Sequence, residues 1–242
     1  MRTIAIGDIH GGLRALVQVL NKLAVKEDDT LIFMGDYVDG WSEAAQVIDL
    51  LQEMSAKINC IFLKGNHDVW CEEWLRSGEV HPTWYMHGGK ETMDSYEGFS
   101  EEEKKEHLQF FEAMPLYHLD EQQRLFLHAG FTSQHGVSRE SVREMFYYDR
   151  TLWEMALVMD TSITKDSLEY PRRLKHYHEI YIGHTPTTNF DEEVPMNRQN
   201  IWNVDTGAAF KGKLTAMNID TKEFVQSDNL PDLYPDEKGR NK

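Results

Sequence analysis

The chain has 242 residues, a formal net charge of −16 and 40% hydrophobic residues. Such a length gives room for one sizeable core, and no linker-like stretch divides it. The acidic balance excludes an extended nucleic-acid footprint, which needs clustered Lys and Arg, so an anionic substrate has to meet a local positive centre such as bound metal ions.

Near the N-terminus, the apolar run Thr3-Ile4-Ala5-Ile6 meets Gly7-Asp8-Ile9-His10-Gly11. This is the pattern of a buried strand that delivers Asp8 and His10 into a loop at its carboxyl end. The run is too short for a signal peptide and no later run is long enough to span a bilayer, so no membrane partner and a cytoplasmic location are expected. Leu13, Leu16, Val17, Leu20 and Leu23 fall at helical spacing. A second buried strand, Thr30-Leu31-Ile32-Phe33-Met34, ends in Gly35-Asp36-Tyr37-Val38-Asp39-Gly40. Ser42 is the expected N-cap of a helix carrying Ala44, Val47, Ile48 and Leu51 on one face. A third strand at 60–63 runs into Gly65-Asn66-His67-Asp68. This β-α-β-α-β order predicts a right-handed parallel sheet with the three polar loops at one edge.

Residues 69–120 read as a surface helical insertion near the site. Ser100 and Glu103 form a capping box at the head of a charged helix that stops before Pro115. Trp70, Trp74, Trp84 and Tyr85 are expected as packing residues rather than a substrate platform. Strand character returns at 124–127, ahead of His128-Ala129-Gly130, and a helix headed by Ser138 is expected to run through Val142, Met145 and Phe146 to Trp153 and Leu157. Ile180-Tyr181-Ile182 runs into Gly183-His184-Thr185-Pro186. Stretches 201–205, 214–219 and 223–225 predict antiparallel strands, and the polar chain beyond Gln226 predicts a loose tail. The expected organisation is one domain over 1–226 and a tail over 227–242. Cys60 and Cys71 read as reduced thiols, with no zinc-type CxxC spacing.

The strand ends collect Asp8, His10, Asp36, Asp39, Asn66, His67, His128 and His184. One histidine at a strand end is commonly a structural residue, but five junctions rich in oxygen and imidazole donors point to a metal centre. Nitrogen and oxygen donors favour Mn, Fe or Zn over a thiophilic metal, and imidazoles disfavour an all-magnesium site.

Taken in order, GDIHG, GDYVDG, GNHD, HAG and GHT resemble the motifs of the metallophosphoesterases of the phosphoprotein phosphatase type, which include bacterial serine/threonine phosphatases and symmetrical diadenosine tetraphosphatases. The resemblance spans residues 7–185 and implies a four-layer α/β/β/α sandwich, the calcineurin-like fold, holding two divalent metal ions. It implies that Asp8 and His10 hold the first metal, that Asp36 bridges both, and that Asn66, His128 and His184 complete the second. It also implies His67 as general acid and Asp39 as the carboxylate that orients it. Two metals about 3.5 to 4 Å apart can share a water and make it hydroxide near neutral pH, the expected nucleophile for in-line attack on phosphorus.

Two features depart from the pattern. Relatives carry a phosphate-gripping Arg directly after the second Asp of the GDxVD motif, where this chain has Gly40 and then Trp41. Arg150 lies near where such enzymes place another phosphate-binding Arg and is the candidate substrate-binding residue; alternatively it pairs with Asp149 or Glu154 on a helix surface. Asp68 replaces the usual Glu, and Asp205 is either a partner for a ligand histidine or a turn residue.

The leading expectation is a serine/threonine phosphoprotein phosphatase. A symmetrical bis(5'-nucleosyl)-tetraphosphatase is the first alternative and a non-catalytic metal-binding scaffold the second. The expected partner is a phosphorylated protein or small phosphoester, with no nucleic acid and no membrane.

Overall fold

A computed structural model describes residues 2–241. Its centre is a pair of five-stranded mixed sheets flanked by helices. In the first sheet, β1 (Thr3–Ile6), β2 (Thr30–Phe33) and β3 (Asn59–Phe62) run parallel, joined through α1 (Leu13–Leu23) and α2 (Ala44–Ser55). The expected crossovers are therefore present. Strands β9 (Thr215–Asn218) and β10 (Phe224–Gln226) add an antiparallel edge, giving the order β10-β9-β1-β2-β3. The second sheet is built from β4 (Tyr117–Leu119), β5 (Arg124–Leu127), β6 (Glu179–Ile182), β7 (Met196–Arg198) and β8 (Ile201–Asn203), in the order β4-β5-β6-β8-β7.

The seam between the sheets is apolar. Ala5, Ile32, Met34, Leu63, Phe126, Tyr181, Val204, Met217 and Ile219 form one buried cluster there. Both sheets contribute strands with parallel neighbours, which explains why β1, β2, β5 and β6 are near-continuous apolar runs rather than alternating ones. No helix among the described residues is long and apolar enough to cross a membrane.

The insertion is helical in the main: α3 (Asn66–Ser77), α4 (Pro82–Trp84), a wide turn at Tyr85–Gly89, α5 (Lys90–Ser95) and α6 (Glu101–Glu112). The Ser100–Glu103 capping box forms as expected, and α6 ends ahead of Pro115. Cys60 is half-buried, Cys71 is buried, and both are free thiols.

Four expectations need correction. Strand β8 pairs parallel with β6, and its antiparallel partner is β7, a strand too short and polar to stand out in sequence. Ser42 is not a helix cap; its hydroxyl donates to Glu237, and α2 starts behind Glu43 with no side-chain cap. The helix headed by Ser138 breaks into a turn at Val137–Arg139, α7 (Met145–Tyr148) and α8 (Thr151–Val158). Glu140 causes one break by accepting from the backbone N–H of Thr132, Ser133, Ser141 and Val142, and Asp149 restarts the helix by capping Thr151 and Leu152. The fourth concerns the loose tail, because residues 227–241 pack onto the body. Leu230 and Tyr234 are buried, and Tyr234 stacks on Trp41 with ring centroids 5.1 Å apart. Their spacing fits one helical turn, but the surrounding charges and prolines dilute that signal. Lys242 lies outside the described residues.

Candidate active site

Five strand ends meet at the rim of the sheet seam. β1 delivers Asp8 and His10, β2 delivers Asp36 and Asp39, and β3 leads into α3, whose first residues are Asn66 and His67. From the second sheet, β5 delivers His128 and β6 delivers His184. All of these except His184 are buried, and His184 is half-buried.

The backbone bends hard to do this. His10 (φ 53°), Asp36 (φ 55°), Asp39 (φ 72°) and His184 (φ 67°) all sit in the left-handed region, which non-glycine residues seldom adopt. Such strain persists only where surrounding structure over-determines it. Asp68 supplies part of that constraint: its carboxylate accepts from the backbone N–H of Asp36 at 2.8 Å, Tyr37 at 2.9 Å and Gly65 at 2.8 Å. The second loop is thereby tied to the third. Burial pushes the Asp68 carboxyl up to about 7, and nearby Asp36 adds to the effect.

Asp36 is at the middle of the cluster. One of its oxygens lies 3.6 Å from His10 Nε2 and 3.3 Å from His128 Nε2, while the other accepts the backbone N–H of His67 at 3.0 Å. His128 Nε2 is also 3.3 Å from Asn66 Oδ1 and 3.2 Å from His184 Nδ1. Asp8 joins through the backbone N–H of His184, which donates to Oδ2 at 3.0 Å.

The donor and acceptor arithmetic here is that of a cation site. His128 Nδ1 faces the carbonyl of Met34 at 2.8 Å, and His10 Nδ1 faces the carbonyls of Asp39 at 2.8 Å and Val38 at 3.1 Å. Those contacts make Nδ1 the N–H in each ring and turn the Nε2 lone pairs toward Asp36. A carboxylate, an amide oxygen and ring nitrogens then converge with few protons to share. Asp8 Oδ1 and His184 Nε2 are buried with no hydrogen-bond partner. Ligand atoms of His10, Asp36 and His67 lie within 4.8 Å of one another, as do those of Asp36, His128 and His184. Space is reserved around the carboxylates, since a Cβ at Gly65 would stand 2.1 Å from Asp36 Oδ1 and one at Gly183 2.1 Å from Asp8 Oδ1. The residues present fit divalent cations.

Electrostatics agree with this grouping. Burial opposes protonation of His128, yet Asp36 and Asp8 outweigh it and hold the ring up to about 10, so the carboxylates draw a proton onto Nε2 that a divalent cation would displace to free its lone pair. Burial also works against ionisation of Asp36, but the surrounding histidines, His128 first, hold it well below the usual carboxylate range.

Beside this cluster, His67 Nδ1 is 2.6 Å from Asp39 Oδ2. Asp39 is fixed by the insertion: Trp84 Nε1 donates to Oδ2 at 2.7 Å and Thr92 Oγ1 donates to Oδ1 at 2.6 Å. Burial pushes the Asp39 carboxyl up to about 8, against the pull of those two donors, and pushes His67 down to about 3. The pair is therefore net neutral near pH 7. Whichever of Nδ1 and Oδ2 holds the shared proton, His67 Nε2 carries another. Sequence reasoning read Trp84 as packing; it is buried packing and also a donor to Asp39, a role that nothing in local sequence announces.

Arg150 is exposed and donates to Thr185 Oγ1 at 2.9 Å, next to His184, while Asp149 is occupied as a helix cap. The alternative helix-surface pair with Asp149 is not what forms. Asp205 accepts the Gly207 N–H at 2.9 Å, as a turn residue does. The residues missed altogether are Thr92 and Arg240, the second of which acts through its charge on Asp36, Asp39, Asp205 and Asp8 from the far end of the chain.

The calcineurin-like phosphoesterase family profile matches residues 1–208. Among curated proteins, the chain is similar to the asymmetrical bis(5'-nucleosyl)-tetraphosphatase PrpE of Oceanobacillus iheyensis, at 28% identity over 93% of this chain and 91% of that protein. The protein of the same name from Anoxybacillus flavithermus is 29% identical over 95% and 94% of the two chains. Among solved structures, a serine/threonine phosphatase from Saccharomyces cerevisiae has a TM-score of 0.64 at 16% identity, covering 100% of this chain and 84% of that one. A metallophosphoesterase from Sphaerobacter thermophilus has a TM-score of 0.55 at 18% identity, covering 95% and 88%. These structural likenesses speak for the fold.

Proposed function

The chain belongs to the calcineurin-like phosphoesterase family, and from that premise we propose that it hydrolyses a phosphoanhydride bond in a dinucleoside tetraphosphate. A cavity of about 550 Å³ carries this reading: it is lined by Tyr85, Met86, His87, Phe210 and Arg240, the last of which packs against Gly40 beside Asp39. Its volume suits a nucleoside, and its aromatic wall suits a base. The curated relatives align with the chain over nearly its whole length, and their name specifies asymmetrical cleavage. Cleavage into ATP and AMP is accordingly the proposed outcome, in place of the phosphoprotein monoester that leads the sequence-based expectations and of the symmetrical cleavage that is their first alternative.

Asp8, His10 and Asp36 would hold one divalent cation, and Asp36, Asn66, His128 and His184 a second, with Mn the leading candidate and Fe or Zn the alternatives. When bound, such cations polarise water and phosphoryl oxygens. His67 Nε2 holds the proton destined for the departing phosphate oxygen. Asp39 keeps the ring turned for that transfer and returns a proton to Nδ1 as Nε2 loses its own. Arg150 offsets charge on the substrate at the rim. Two free thiols suit a reducing, cytoplasmic setting.

A phosphoserine or phosphothreonine monoester is the second reading. It is favoured by the outward-facing rim beside His67, where Trp70 packs 5.1 Å from the imidazole and Tyr148, 40% exposed, lies 6.3 Å beyond. Assaying diadenosine tetraphosphate and a phosphopeptide side by side with Mn separates the two. Faster release of ATP and AMP is expected, and preference for the phosphopeptide would reverse the order.

A further inference from the structure

We propose that Arg240, delivered by the C-terminal segment into the space left by Gly40, is the residue that grips a substrate phosphoryl oxygen at this centre. The proposal rests on the phosphoester reading of the site, but not on the dinucleotide.

Gly40 and Arg240 are shaped to one another. Gly40 has φ +132°, which L side chains rarely adopt, and a Cβ there would stand 3.3 Å from both Arg240 Cγ and the carbonyl of His10. The Arg expected directly after Asp39 is thus replaced in space by an Arg about two hundred positions later in sequence. Trp41 completes the fit. Its indole donates to the Ala208 carbonyl at 2.7 Å and stacks on Tyr234, and a Cβ on Gly239 would be 2.6 Å from its ring.

The segment is held along its length. Tyr234 accepts the Arg14 backbone N–H at 3.0 Å. Glu237 accepts from the Ser42 N–H at 3.0 Å and from its hydroxyl at 2.7 Å, and the Arg240 N–H donates to the Ala209 carbonyl at 2.9 Å. The guanidinium, by contrast, makes no hydrogen bond or ion pair among the described residues. Its Nε is buried without a partner, and Phe210, 5.3 Å away, is its one ring contact among those residues. Arg240 as a whole is half-buried, and a partly desolvated cation with a fixed backbone and a buried, unpartnered Nε is costly unless an anion completes it. Its surroundings identify that anion. Arg240 lines the 550 Å³ cavity and packs against Gly40, next in sequence to Asp39, so it borders both the nucleoside-sized space and the loop that carries Asp36 and Asp39. Guanidinium geometry matches two phosphoryl oxygens.

The test uses the full chain loaded with Mn, inorganic phosphate as ligand and p-nitrophenyl phosphate as substrate, neither of which depends on nucleotide recognition. Arg240→Gln should weaken phosphate binding by about 10- to 100-fold, the loss of one charge-assisted pair. KM should rise in step, with metal content and thermal midpoint held, and Arg240→Lys should recover part of the affinity. Loss of phosphate binding that merely follows loss of bound Mn would assign Arg240 to charge balance of the carboxylates and overturn the proposal. So would unchanged phosphate affinity. Should the variants fail to fold, the wild type still decides: saturating phosphate should slow tryptic cleavage of the Arg240–Asn241 bond, and equal cleavage with and without phosphate would refute the grip.

Discussion

His67 Nδ1 lies 2.6 Å from Asp39 Oδ2, and the indole of Trp84 donates to that same oxygen from a segment more than forty positions away. The proton donor of the proposed reaction is therefore oriented by a carboxylate that is itself oriented by the insertion. An unlatched Asp39 would let the imidazole rotate away from the leaving oxygen.

Replacing His67 with Asn should lower kcat by about 10²- to 10⁴-fold, the usual range for a general acid, while bound Mn stays at the wild-type stoichiometry. The loss should be larger for an alkyl phosphate than for p-nitrophenyl phosphate, whose leaving group needs little protonation. Equal losses on both substrates, read from steady-state rates, would take His67 out of the acid role.

Trp84→Phe and Thr92→Val each strip one donor from Asp39 without touching the cation cluster. Each buried hydrogen bond contributes about 1 kcal/mol, so kcat should drop by roughly fivefold for Trp84→Phe and by more for Thr92→Val, which also removes the acceptor of the Asp39 backbone N–H. Stopped-assay rates equal to the wild type's would show that packing alone orients the carboxylate.

Divalent cation at a hundred times its dissociation constant should stabilise the fold by about 2.7 kcal/mol. For a chain of this size that corresponds to a rise in Tm of roughly 5 to 11 °C. Melting curves with Mn and with EDTA check it, and Asp8→Asn or His184→Ala should reduce the rise, since each removes a buried atom that has no other partner.

Far from the site, Arg2 grips Asp29 through Nε at 3.1 Å and Nη2 at 2.5 Å, joining the starts of β1 and β2. The Arg2 hydrogen bond holds the Asp29 carboxyl down to about 2, against an ordinary 3.8. A depressed carboxyl stabilises the fold fully above its unfolded value and loses that effect as pH falls through its folded one. Asp29→Asn should therefore cost about 2 kcal/mol at pH 7 by urea denaturation, with about half of the difference gone by roughly pH 3. A cost that does not shrink in acid would mean that shape, and not charge, holds this corner.

Sequence showed the five junctions because buried parallel strands are apolar throughout and stop abruptly at glycine, so Asp8, Asp36, Asn66, His128 and His184 stand out against what precedes them. It could not show that two sheets share the work, since β4 and β7 have three residues each and their pairing is set by partners elsewhere in the chain. Trp84, Thr92 and Arg240 were illegible for a related reason. Their roles arise from contacts across 45, 53 and about 200 positions, distances over which neither periodicity nor spacing carries information.

The left-handed backbone at His10, Asp36, Asp39 and His184 sets heat resistance against turnover at four places. Glycine at any of them would relax a torsion costing about 1 to 3 kcal/mol while deleting a group the chemistry uses. Selection of random variants for survival of heating alone should drift toward glycine at these positions, and selection for phosphoester cleavage should hold Asp and His there.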